Sequence, residues 1–311
     1  MGLNILWCSH ANWAWTDDVL QGLRTRGHNV VETSAYDEKT ISEAKRYDVV
    51  VIDWCGIQAI HWSKHKPDTR LVLRVHGADL LMTDIVKRVE WPAFDAVVSV
   101  RAGCESLMPV QQEVPVIGYA VSSDNTFFQR QFGNPHRIGV CGPDRPGAGV
   151  DSAVKQWLAI DSRDGGQAGK WNLLICAFEI WQYSRIARLW RSCSHKGMGN
   201  RVGLLGLDQL DGFWQRVEVA WSPGDDRAPD LLALRAMATG AYALVADRGG
   251  AIAMFGDCVY FEQGGFVEQL RCWNILSPEE KLVVSRECHQ FVAETNGIDK
   301  IATQMKEVLS G

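Results

Sequence analysis

No stretch of the 311-residue chain approaches the roughly 20 apolar residues that a bilayer-spanning helix needs. The chain also lacks an excess of basic charge: 32 Lys and Arg stand against 37 Asp and Glu, a formal net charge of -5, which argues against a broad basic face for nucleic acid and leaves only a local groove open. Met1-Gly2-Leu3-Asn4-Ile5-Leu6 has no basic segment before its first apolar run, so no secretory leader is expected, and Leu6 stands where a myristoylation signal needs Ser or Thr. The nine cysteines are odd in number and form no C-x-x-C pair, which fits reduced thiols in a cytoplasmic protein better than disulfides or a structural zinc site. Internal repeats and low-complexity tracts are missing as well. G-x-G-x-x-G is absent, so no clean dinucleotide fingerprint is present.

What remains is a globular composition, 46% apolar and 22% charged, in a chain too long for one comfortable core. Continuously apolar runs such as Tyr47 to Trp54 and Arg70 to His76 read as strands buried on both faces of a parallel sheet. Further strands are expected at Asn4 to Cys8, Phe94 to Val100, from Arg137, at Trp171 to Phe178, Asn200 to Leu205, Val217 to Trp221 and Ala241 to Ala246. Helices are expected at Asp17 to Arg26, from Leu80, at Ala102 to Met108, from Asp151, and at Ile180 to Arg191, Pro229 to Thr239, Phe266 to Trp273, Pro278 to Glu294 and Gly297 to Leu309. The arginines of Ile180 to Arg191 read as a solvated face. Strands alternating with helices in both halves give an α/β fold of two doubly wound domains. Gln131 to Pro135 reads as the linker, which places an N-terminal domain at 1–133 and a C-terminal domain at 134–311.

Chemistry concentrates where strands run into loops. Trp221 to Tyr260 is a strand, a polar loop with Pro, Gly and Asp, a helix, a second strand and a Gly249-Gly250 turn. The helix start leaves unpaired N–H groups and a positive dipole end at the sheet edge, a site suited to phosphate. Pro143 to Val150 is a Gly-rich loop of similar aptitude, a weak signal by itself. Ser9 to Trp15 carries His10, Trp13 and Trp15 after the first strand; the indoles either form a platform for a ring or simply cover the sheet edge. His76-Gly77-Ala78-Asp79 ends another strand, and Asp79 either joins a site or caps the helix that follows.

Ser222-Pro223, Leu234 to Ala241 and Gly249-Gly250 together resemble the donor-site signature of the family 4 type of retaining GT-B glycosyltransferases, and of the CgeB-like group. Arg26-Gly27-His28-Asn29-Val30, His76 to Asp79, Val114 to Phe128 and Arg145 extend the likeness over most of the chain. The resemblance implies the GT-B architecture, two facing Rossmann-like domains with a cleft, the last helix crossing back to the first domain. It implies transfer of a sugar from a nucleotide-diphosphate sugar, a UDP-sugar first among them, to a hydroxyl, with retention and without metal or tightly bound cofactor. His76 and Asp79 would serve the reacting sugar. Gly142, Arg145, Gly206, Arg227, Asp230, Leu231, Arg235, Gly249 and Gly250 would hold the donor, and His10, Trp13 and Trp15 the acceptor. The acceptor is open between a saccharide, a small metabolite and a hydroxymethylated DNA base. Arg227 and Arg235 stand where the family carries two glutamates, and Ala148-Gly149 where it carries a lysine. A guanidinium cannot accept a hydrogen bond from a ribose hydroxyl, so either the donor is gripped through phosphate or the fold serves as a non-catalytic binding protein. An epimerase of related architecture is a further reading.

Overall fold

The structure is a computed structural model that describes residues 2–9, 17–77, 79–81, 83–123, 127–128, 132, 136–141, 153, 157, 171–177, 191, 202–206, 210–222, 231–246, 254–255 and 265–311. His10, Trp13, Trp15, Gly142, Arg145, Arg227, Asp230, Gly249 and Gly250 lie outside them, as do the expected linker except Phe132 and the helix at Ile180 to Arg191 except its last residue. The chain divides into two compact units, residues 1–121 with 295–311, and residues 122–294.

The first unit holds β1 (Asn4–Ser9), α1 (Asp17–Thr25), β2 (Asn29–Thr33), α2 (Glu38–Glu43), β3 (Val49–Asp53), α3 (Ile57–Lys64), β4 (Arg70–Val75), α4 (Thr83–Val86) and β5 (Ala96–Ser99). The five strands are all parallel, in the order β2-β1-β3-β4-β5. Side chains alternate across a strand, and here both sides are covered. Leu6, Val50, Ile52, Leu71 and Leu73 pack with Ala59, Ile60 and Trp62 of α3. Ile5, Trp7, Val49, Val51 and Val72 pack with Val19, Leu20 and Leu23 of α1 and with Ile301, Met305 and Leu309 near the C-terminus. Double coverage is why these strands read as unbroken apolar runs. The helix expected at Ala102 to Met108 is a single 3-10 turn at Glu105–Leu107. Gly103, at φ 83°, occupies the left-handed region, which an α-helix cannot pass through.

The second unit holds β6 (His136–Cys141), β7 (Trp171–Ala177), β8 (Val202–Gly206), α5 (Leu210–Phe213), β9 (Val219–Ser222), α6 (Leu231–Ala238), β10 (Tyr242–Val245), α7 (Phe266–Ile275) and nearly all of α8 (Pro278–Asn296). Its strands are also parallel, in the order β10-β9-β6-β7-β8. Ile138, Val140, Leu173, Ile175, Val219, Trp221 and Leu244 form one core with Trp157, Phe266, Leu270 and Trp273. Buried Glu218, just before β9, ties β6, α7 and α8 together: its carboxylate accepts from Trp273 Nε1 at 2.8 Å, lies 2.7 Å from His136 Nδ1 and pairs with Lys281 Nζ at 3.3 Å. Burial would raise this carboxyl, but the His136 bond and the remaining partners hold it below the usual value.

The last helix, α9 (Ile298–Ser310), returns to the first unit and packs along α1.

Candidate functional site at the carboxyl edge of the first sheet

A parallel sheet ordered 2-1-3-4-5 reverses its direction of winding between β1 and β3, and open α/β sheets take their ligands outside the carboxyl ends of the strands at such a reversal. Ser9, Asp53 and Arg74 lie in one row there, Ser9 beside Asp53 and Asp53 beside Arg74. Asp53 and Arg74 extend the alternation of Val49, Val51 and Val72, so they fall on the α1 and α9 face of the sheet. Both are 0% exposed.

Arg74 Nη1 donates to Asp53 Oδ1 at 3.1 Å, and His76 Nε2 lies 2.8 Å from the same oxygen. Burial alone would raise the Asp53 carboxyl; Arg74 first and then His76 overcome this and hold it below its ordinary value. Burial lowers His76 in turn, so its imidazole is neutral near pH 7. The tautomer follows. A carboxylate only accepts, so Nε2 carries the hydrogen, and Nδ1 accepts from the Tyr119 hydroxyl at 2.9 Å. Tyr119 itself is fixed by Asn296, whose Nδ2 donates to the Tyr119 carbonyl at 3.0 Å, and its ring lies 5.7 Å from the Arg74 guanidinium carbon.

Asp79 closes the other side of the cluster. Its Oδ2 accepts from the backbone N–H of Cys55 at 2.8 Å and of His76 at 2.9 Å, which joins the loops after β3 and β4. Asp79 opens a 3-10 turn, Asp79–Leu81, instead of capping a helix from Leu80. Burial pushes its carboxyl up to about 7, against the pull of those two N–H groups.

Above this cluster the backbone is strained. Trp54 has φ 83°, and among the described residues it alone, apart from glycines, has a positive φ. Such a conformation costs a bulky residue on the order of 1–3 kcal/mol. It is held by Trp54 N–H donating to the Arg74 carbonyl at 3.0 Å and by Gly56 N–H donating to the Trp54 carbonyl at 2.9 Å. The indole stacks on the His76 imidazole, with centroids 3.8 Å apart and planes 3° from parallel.

Of the expected site residues, the structure thus brings His76 and Asp79 together. His76 is 1% exposed with both ring nitrogens engaged, so its ring reaches a ligand only if the Asp53 or Tyr119 bond opens. In the second unit, Gly206 ends β8 at the carboxyl edge of its sheet. Leu231 begins α6 with its side chain buried, which leaves its backbone as the group it offers there, and Arg235 is half-buried on the same helix. Among the described residues, no group of three His, Cys, Asp or Glu is placed to hold a metal ion.

Sequence reading missed Asp53, Trp54, Arg74 and Tyr119. One signal was available: an arginine inside the apolar run of β4 is buried with its neighbours and requires a carboxylate partner. Tyr119 and the strain at Trp54 leave no such trace.

No family model matches the chain, and no curated protein does. Solved structures do match. HepE from Anabaena in complex with UDP and glucose superposes with a TM-score of 0.73 at 13% identity, over 99% of this chain and 100% of that one. The sucrose-phosphate synthase of Thermosynechococcus elongatus gives 0.74 at 12% identity, over 98% and 97%. A UDP-forming alpha,alpha-trehalose-phosphate synthase from Burkholderia xenovorans gives 0.72 at 10% identity, over 100% and 99%. The chain has the GT-B fold. Both units take part in the likeness, since it spans the chain from end to end. The edge of the GT-B first unit is therefore built here from Asp53, Trp54, Arg74, His76, Asp79 and Tyr119.

Proposed function

We propose that this GT-B chain is a glycosyltransferase, which moves a sugar from a nucleotide-diphosphate sugar to a hydroxyl acceptor with retention and without metal. The observation that carries the reading is the match, over 99% of this chain and 100% of that one, to HepE bound to UDP and glucose, so a UDP-sugar is the donor of choice. The first unit takes the acceptor and the second the donor. In the transfer, the bond from the sugar C1 to the β-phosphate oxygen breaks, a bond from C1 to the acceptor oxygen forms, and the acceptor proton leaves with the diphosphate. Negative charge grows on that diphosphate, and fixed positive groups lower the barrier. Arg145, Arg227, Arg235 and the amides leading to Leu231 are the groups in this chain suited to the task, with Gly142, Gly206, Asp230, Gly249 and Gly250 shaping the loops around them. His76 and Asp79 organise the sugar end, and His10, Trp13 and Trp15 border the acceptor. Arginine at 227 or 235 takes over the charge of the lysine that Ala148-Gly149 replace.

Thermal unfolding with UDP, GDP, ADP, CMP and their sugar conjugates tests the donor. A ligand present at about a hundred times its Kd adds roughly 2.7 kcal/mol of stability, and the expected result is a Tm rise with UDP or UDP-sugars. Arg235→Ala should then raise the donor KM or lower kcat, and an unchanged kcat/KM would remove Arg235 from the site. The missing glutamates favour a second reading, a binding protein without catalysis; a UDP-dependent Tm rise with no turnover of any UDP-sugar selects it.

A further inference from the structure

α3 carries a polar stripe that the cluster around Asp53 and His76 does not use. Gln58, His61 and His65 stand at positions i, i+3 and i+7, so they follow one another along a single side of the helix. His65 is the residue that ends α3, and its N–H still donates to the His61 carbonyl at 3.2 Å, so the spacing of the last turn is kept. The two imidazoles lie side by side, with centroids 4.7 Å apart and planes tilted by 47°. His61 is half-buried and His65 exposed, and among the described residues neither ring has a hydrogen-bond partner. His61 Nε2 is nonetheless closed to solvent, a polar atom with nothing to bind, and so is Oε1 of the fully buried Gln58. Such atoms cost stability until something engages them. The loop after β2 holds two members of the stripe in place: Gln58 Nε2 donates to the Ser34 carbonyl at 2.7 Å, and Tyr36 meets the His61 ring edge to face at 5.6 Å.

We propose that His61 and His65 together bind a divalent transition-metal ion, zinc first among them. Imidazole nitrogen suits zinc, copper and nickel, and i, i+4 on one helix is the spacing at which two histidines grip zinc. Two imidazoles on one ion, each at about 2.0–2.1 Å and set at a tetrahedral angle, have centroids roughly 5 Å apart. The observed 4.7 Å is close to that value, so α3 already holds the pair at chelating distance. The exposed His65 ring is the one that turns to admit the ion. Among the described residues no third His, Cys, Asp or Glu joins them, so water fills the remaining positions, and Gln58 Oε1 is the acceptor at hand for such a water. The ion takes no part in sugar transfer: it closes a chelate across the last turn of α3 and stabilises the first unit as any ligand of the folded state does.

The experiment uses the full chain labelled with ¹⁵N, stripped of metal with EDTA, exchanged into plain buffer and titrated with zinc chloride. In long-range ¹H–¹⁵N spectra, the imidazole signals that vanish in His61→Asn and in His65→Asn belong to those two rings. Both signals should move together and saturate at one equivalent of zinc. Each variant should raise the half-saturation point, followed on the ring that remains, about tenfold or more, and should lose most of the zinc-induced Tm rise. The metal-free Tm of His65→Asn should stay near that of the wild type, because its ring is exposed and unbonded. This variant therefore carries the test even if His61→Asn, which gives up the Tyr36 contact, fails to fold. Zinc binding as tight at the remaining ring as in the wild type, movement of only one of the two signals, or half-saturation above ~100 µM overturns the proposal. Zinc taken up by thiols such as the exposed Cys272 would leave both imidazole signals still, and overturns it as well.

Discussion

Asp79 is the residue whose chemistry is most exposed to a simple test. A carboxyl raised from 3.8 to about 7 in the folded chain keeps its proton there while the unfolded chain has lost it. Between those values the unfolded state binds fewer protons, so stability falls as pH rises from about 4 to about 7, at up to ~1.4 kcal/mol per pH unit. Asp53 works in the opposite sense: its carboxyl is held low, so its contribution is present above the usual aspartate range and is lost as pH falls through it. Asp79→Asn keeps an oxygen to accept from Cys55 and His76 but cannot ionise. Urea unfolding of this variant should show the decline between about pH 4 and 7 flattened and higher stability than the wild type at pH 8. A variant with the wild-type pH profile would show that Asp79 ionises normally. Asp53→Asn is expected to be far worse, because it leaves the Arg74 charge buried without its counter-ion, a defect worth about 3–5 kcal/mol.

Strands were the legible elements, and the helices around them less so. Val49 to Asp53 and Arg70 to Val75 announce themselves because both sheet faces are covered and nearly every residue is apolar. The turn at Glu105–Leu107 did not, because its residues suit a helix and only the backbone at Gly103 forbids one. The partner of α1 was legible only as a family habit, while the contact itself is local geometry. A Cβ on Gly22 would lie 2.6 Å from Ile298 Cγ2 and 2.8 Å from Ala302 Cβ, so α1 and α9 touch where only hydrogen fits. Gly22→Ala should therefore force α9 outward and cost about 1–3 kcal/mol. Thermal unfolding of Gly22→Ala, Ile298→Ala and the double variant checks this, because Ile298→Ala removes one of the two clashing groups. The double variant should lose less than the sum of the single losses, and strict additivity would mean that the helices adjust without strain.

At the scale of the molecule, the first unit is not one continuous stretch of sequence, since its core is completed by residues 295–311 after the chain has built the whole of the second unit. This arrangement ties the stability of the two units to different parts of the chain. Ile301, Met305 and Leu309 are each 2% exposed or less within the core around β1 and α1. At about 1.5–3 kcal/mol for each buried side chain, their removal subtracts an amount comparable to the 5–15 kcal/mol that typically holds a domain together. The second unit has its own core around Trp157, Trp171 and Trp273, in which, among the described residues, none of α9 takes part. A chain ending at Glu294 should therefore lose the unfolding transition of its first unit and keep that of its second in a calorimetric scan. If the second unit holds the donor, as proposed, UDP should still raise the transition that remains, and by about as much as in the full chain. A surviving transition that no longer answers to UDP would place part of the nucleotide site on the first unit, and a chain with no transition left would mean that neither unit folds without the other.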